Sequence, residues 1–77
     1  MKESDFLRAL ETALEIDAHT IAGDEPLDGV GWWDSMAALV FMSLADQELH
    51  VTVSGAQLQQ CQTVPDLLRL LGDKLTR

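Results

Sequence analysis

Apolar residues fall at Phe6, Leu7, Leu10, Ala13 and Leu14, the spacing that lays one stripe along a helix. Ser4 predicts the cap of that helix, with Glu3 and Asp5 near its positive end. Asp17-Ala18-His19-Thr20 breaks the pattern, so the helix is expected to end near Ile16. From Asp17 to Trp33 no period survives: Gly23, Pro26, Gly29 and Gly31 punctuate the stretch, and Asp24, Glu25 and Asp28 keep it solvated. Ile21, Leu27 and Val30 are the expected anchors of this loop to the core. A loop this long in a short chain is uncommon and often functional.

Asp34 or Ser35 predicts the cap of a second helix running to about Leu49. Met36, Ala37, Ala38, Leu39, Val40, Phe41, Met42, Leu44 and Ala45 make it apolar almost all the way round. No helix of a chain this small is buried on every side, so part of that surface must meet water or a partner. Val51-Thr52-Val53 alternates like a strand but has no partner strand and reads as an extended connection. Ser54-Gly55 opens a short helical turn carrying Leu58 inward. Thr63 caps a last helix, with Pro65 in its first turn, Asp66 three residues beyond the cap, and Val64, Leu67, Leu68, Leu70, Leu71 and Leu75 as its buried face. The pattern predicts one small all-α domain over residues 1–77, with three main helices, one short helix and a long loop between helices 1 and 2.

Composition narrows the function classes. The 77 residues are 47% hydrophobic, too apolar for a disordered chain. The single cysteine, Cys61, excludes an intrachain disulfide and fits a reducing, cytoplasmic setting. Met1-Lys2-Glu3-Ser4-Asp5 lacks the apolar stretch of a signal peptide, and Met36 to Ala45 is too short to span a bilayer. The net charge is −8, and between Arg8 and Arg69 ten acids occur with no Lys or Arg. That surface repels phosphate backbones and anionic lipid and attracts basic partners, so nucleic-acid binding is excluded and a monomer is expected. The competing reading is an acidic surface that serves solubility alone.

Little in the chain resembles a catalytic site. His19 and His50 are isolated, without a second ligand at metal spacing, so no metal is expected and both read as surface residues. Cys61 stands where an apolar residue would close the core. No Ser-His-Asp or Cys-His grouping and no glycine-rich phosphate loop is present. Asp34-Ser35, at the junction of the long loop and the apolar helix, is by itself an ordinary helix cap.

The order of segments changes that weighing. A first helix, a loop containing Asp24-Glu25-Pro26-Leu27, Trp33-Asp34-Ser35-Met36 opening a second helix, Val51-Thr52-Val53-Ser54, and Thr63-Val64-Pro65-Asp66-Leu67 opening the last helix together resemble the acyl carrier protein family. The resemblance covers nearly the whole chain and implies a four-helix carrier-protein bundle. It implies Ser35 as the attachment point of 4′-phosphopantetheine, transferred from coenzyme A by a phosphopantetheinyl transferase. Asp34 would support the transferase's Mg²⁺ and serine, a role compatible with capping. The arm's thiol would carry an acyl group as a thioester, with the chemistry left to partner enzymes of fatty-acid, polyketide or related biosynthesis.

Carriers of bacterial fatty-acid synthesis tend to have acids two and six residues beyond the serine. Here those places hold Ala37 and Phe41, or Val40 if the face is read one residue earlier. Docking through the second helix is therefore expected to lean on Met36, Leu39 and Val40, with Asp46 the first charge along it, against partners with apolar or basic surfaces. Asp-Ser-Met, with Trp32 where many carriers have glycine, is also similar to D-alanyl and other aminoacyl carriers. One of Trp32 and Trp33 is expected in the core and the other beside the prosthetic arm. His50 replaces a common glycine after the second helix, with an expected change in the turn. Outside the carrier class stand an unmodified acidic interaction module and, more weakly, a small hydrolase using Ser35. No long-chain tunnel is indicated.

Overall fold

The computed structural model describes residues 1–76. Among these residues the chain forms four α-helices and no strand: α1 (Glu3–Leu14), α2 (Ser35–Leu49), α3 (Gly55–Gln59) and α4 (Val64–Arg69), followed by a 3₁₀ turn at Gly72–Lys74. This is the expected small helical bundle. Its core joins Phe6, Leu7 and Leu10 of α1 to Phe41, Leu44, Ala45 and Leu49 of α2, closed by Leu58, Val64, Leu67, Leu71 and Leu75. Phe6 and Phe41 meet edge-to-face at 5.7 Å, the favoured aromatic geometry.

The start of α1 differs from expectation. Ser4 lies inside the helix, and the cap position is Lys2, with no side-chain cap bond. The chain end does the capping instead: Lys2 pairs with Thr76 in an isolated parallel bridge, and the Glu3 N–H donates to the Thr76 carbonyl at 2.7 Å. A free helix-end N–H satisfied by distant backbone needs no capping side chain. α1 also stops two residues early, at Leu14, where Glu15 turns left-handed (φ 60°). Ala13 is exposed, because the buried stripe centres on Leu7 and Leu10 and its far flank is taken by Glu11.

Glu11 is the residue that sequence patterning missed. It is only 1% exposed, and it holds the long loop. Its Oε2 accepts the Ile21 N–H at 2.7 Å and its Oε1 accepts the His19 N–H at 3.0 Å. Arg8 covers the carboxylate, with Nε 2.6 Å from Oε1, and also donates to the Ile21 carbonyl at 2.7 Å. Arg8 Nη1 lies 2.7 Å from His19 Nδ1; since a guanidinium only donates, that nitrogen is the acceptor. Both histidines are exposed, as expected.

The far part of the loop is pinned to the start of α4. Pro26 bridges Thr63, the Leu27 N–H donates to Gln62 O at 2.8 Å, and the Val64 N–H donates to Glu25 O at 3.0 Å. Ile21 and Leu27 are buried in the core as expected, whereas Val30, half-buried on the loop, is not among the residues packed against it. Gly23, at φ +107°, allows the close approach: a Cβ there would sit 3.3 Å from the Leu7 side chain.

α4 is shorter than the periodicity implied. Thr63 and Asp66 form the expected capping box, but the helix ends at Arg69, and Gly72 (φ 59°) redirects the chain so that Leu75 returns to the core. The third main helix is thus one helix of six residues plus a 3₁₀ turn. α3 opens as expected on Ser54, in a capping box with Gln57, and Leu58 points inward.

His50 is the C-cap of α2. It takes the left-handed conformation itself (φ 57°), and the His50 and Val51 N–H groups bond Asp46 and Ala45 carbonyls. A left-handed conformation costs a non-glycine residue about 1–2 kcal/mol. Glycine's greater entropy loss offsets roughly half of that. His50→Gly is therefore expected to stabilise the domain by about 0.5–1 kcal/mol, read from the urea midpoint.

Candidate functional site

Asp34 has extended backbone (φ −151°), and its carboxylate accepts the Ala37 N–H at 2.8 Å. The cap is thus Asp34, which leaves Ser35 as the first helical residue, exposed to solvent. Among the described residues no hydrogen-bond partner holds the Ser35 hydroxyl. The remaining free N–H groups of the first turn and the aligned peptide dipoles give this end of α2 a positive potential, which the Asp34 carboxylate on the Ala37 N–H partly offsets; no further acid follows Ser35 in that turn. An oxyanion on the Ser35 oxygen would sit in that field.

Separating the two roles of Asp34 is straightforward. Asp34→Ala removes the cap and is expected to cost about 1 kcal/mol of stability, whereas Asp34→Asn keeps an acceptor and costs little. A modification rate that falls equally in both, measured alongside thermal unfolding, assigns the carboxylate charge to the reaction; a rate that falls only in Asp34→Ala assigns the cap.

Beside Ser35 lies a groove of about 400 Å³ between α2 and α3, lined by Trp33, Ala38, Leu39, Met42, Leu58 and Gln59. The sequence predicted the short helical turn at Ser54-Gly55 with Leu58 inward, but not that α3 would line a groove beside Ser35. Trp33 is half-buried, as is Trp32, so neither is a fully enclosed core residue. They stand edge-to-face at 5.9 Å, and Trp33 meets Phe41 in the same way at 6.4 Å. Trp33 is thus the tryptophan beside the serine.

On the outer face of α2, Met36 is 70% and Leu39 63% exposed, two large apolar side chains open to solvent. Val40 is half-buried next to them, and Asp46 is exposed two turns beyond Leu39. Ala37 and Phe41 are buried, so the face is read through Val40 and not Phe41. The helix therefore presents an apolar patch next to the serine, as its all-round hydrophobicity required.

Cys61 is half-buried at the core edge, short of the closing position expected for it. Its Sγ donates to Gln57 O at 3.4 Å, and burial, with Asp66 nearby, pushes the thiol above its ordinary value. It is a poor nucleophile in that state. Among the described residues, no group of three His, Cys, Asp or Glu side chains is placed to hold a metal ion. No helix among them is long and apolar enough to cross a membrane.

A family model described as the phosphopantetheine attachment site matches residues 4–71. No curated protein and no solved structure matches the chain.

Proposed function

Because the chain belongs to the phosphopantetheine attachment site family, whose members bear this cofactor covalently, we propose that it is an acyl carrier protein with Ser35 as the attachment residue. It delivers acyl thioesters to enzymes of fatty-acid, polyketide or related biosynthesis, in the cytoplasm, and is not itself a catalyst. The observation that carries the reading is the exposed Ser35 hydroxyl at the start of α2, without a hydrogen-bond partner among the described residues. The residues suit the group: the start of α2 favours a phosphodiester there, and the adjacent groove is apolar enough to lie against the arm. When bound, the cofactor supplies a thiol that keeps a carbonyl activated as a thioester. The protein's own residues expose the oxygen at the start of α2, present the docking face and leave the arm's end accessible.

Incubation with coenzyme A and a broad-specificity phosphopantetheinyl transferase tests the reading. Intact mass is expected to rise by one phosphopantetheine, with peptide mapping assigning it to Ser35 rather than Ser4, Ser43 or Ser54. No gain, or a gain elsewhere, removes it. Loading of the product by acyltransferases is expected; charging with an amino acid by an adenylating enzyme in its place makes the protein an aminoacyl carrier.

Partner enzymes are expected to dock on Met36, Leu39 and Val40, with Asp46 at the margin. Truncating an apolar anchor at the centre of such an interface costs about 1–2 kcal/mol. Leu39→Ser is therefore expected to raise the KM of loading roughly five- to thirtyfold. The effect should change little with salt, since ion pairs are screened and apolar contacts are not. A strong salt dependence with little effect of Leu39→Ser points to the acids instead.

A further inference from the structure

The start of α2 opens on one groove, and a second groove shares Trp33 with it. The Ser35 groove is floored by the buried Leu58 and flanked by Leu39 and Met42. The second, about 670 Å³, runs along the loop from Pro26 to Val30 and reaches Cys61. Among the described residues Trp33 alone lines both. Its indole packs edge-to-face on Phe41 at 6.4 Å and on Trp32 at 5.9 Å, where the two grooves share it.

We propose that Trp33 is a specificity-determining wall, closing the Ser35 groove toward the loop and confining it to short acyl groups carried on the Ser35-linked arm. The inference rests on the carrier reading above. A group tethered at the mouth of a groove samples it at high effective concentration, so weak apolar contact is enough to hold it. The groove's 400 Å³ lies near the small end of the ~300–1,000 Å³ typical of small-ligand sites. Its apolar lining accepts a hydrocarbon chain without asking for hydrogen bonds. A chain that outgrows it meets the indole, and the side chains beneath, Phe41 and Leu58, are packed into the core. A long chain therefore stays in water. A smaller side chain at this position joins the two grooves into one trough.

The test installs arm and cargo together, using the transferase with butyryl-, hexanoyl- or dodecanoyl-coenzyme A on the natural chain, Trp33→Leu and Trp33→Ala. Mass spectrometry then follows thioester hydrolysis at mildly alkaline pH. In the natural chain, butyryl and hexanoyl groups are expected to hydrolyse several-fold more slowly than the matching free acyl-pantetheines, and dodecanoyl at the free rate. In the variants the dodecanoyl group gains several-fold protection. Equal protection of all three lengths in the natural chain, or an unchanged profile in folded variants, overturns the wall. A Trp32→Phe chain gives a measurement that leaves Trp33 in place: its emission is expected to shift on butyryl or hexanoyl loading, and a constant emission overturns the proposal as well. Failure to install any arm on the natural chain defeats the carrier reading itself, an outcome distinct from installation followed by a flat chain-length profile.

Discussion

Ser35→Ala is expected to gain no phosphopantetheine under conditions that convert the natural chain completely, while remaining folded. The two halves of that statement have separate causes. Asp34, not Ser35, accepts the Ala37 N–H and caps α2, so removing the Ser35 hydroxyl takes nothing from the helix. The loss of stability should stay within about 0.5 kcal/mol, as for surface changes away from special features. The loss of modification should be total, because no other oxygen at the start of α2 has the same position. Ser54 is engaged with Gln57 at the start of α3, and Ser43 sits in mid-helix, where no N–H groups are free. Intact mass together with circular dichroism separates loss of the attachment point from loss of the fold. A Ser35→Ala chain that still gains the full mass removes Ser35 from the site.

Glu11→Ala is expected to be the most damaging single change to the fold. It strips the acceptor from two backbone N–H groups, at Ile21 and His19, and leaves the Arg8 guanidinium without its carboxylate. Leaving the buried Ile21 N–H and the part-buried His19 N–H without an acceptor costs about 1–3 kcal/mol for each, while the partly exposed Arg8 is re-solvated. At ~0.05–0.15 kcal/mol per residue, 77 residues hold about 4–12 kcal/mol in all. The variant should therefore lose a large part of its stability, read as a fall in the urea midpoint of the far-UV helical signal. A variant within 1 kcal/mol of the natural chain, on the order of an ordinary surface change, rejects Glu11 as the loop anchor.

The same contacts make a pH prediction. Burial by itself would push the Glu11 carboxyl up, but the Ile21 and His19 N–H groups and Arg8 outweigh it and hold the carboxyl below its ordinary 4.5. Folding therefore favours the ionised form. The stability this contributes is fully present above pH 4.5 and is lost as pH falls through the lower folded value. Urea midpoints taken across that acid range should decline in the natural chain and decline less in Glu11→Gln. Glu11→Gln itself starts lower at neutral pH, because its amide offers one oxygen where the structure needs two.

The helices were largely legible because each carries its own local cause. The stripe of Phe6, Leu7 and Leu10, the capping boxes at Ser54 and Thr63, and the cap at Asp34 act within a few residues of where they are read. The exposed patch on α2 was legible for a different reason: more apolar residues stand on that helix than a 77-residue core has room to bury. The position of Ser35 at a helix start came from the same local signals, and the attachment role proposed for it rests on family pattern, not on spacing.

Other features depend on residues far apart in the chain. Thr76 caps α1 across nearly the whole length of the sequence, which made Ser4 a false cap. Glu11 looks like a solvated helix acid until a loop ten residues away brings its N–H groups to it. Trp33 becomes a boundary only when α3 packs across α2 on one side and the loop on the other. Propensity, capping and hydrophobic period are properties of neighbouring residues, so the sequence by itself determined which segments are helical and that one helix must keep an apolar face outward. What covers a polar group, and what encloses the space beside Ser35, depends on which distant surfaces meet, and only the tertiary structure decided that.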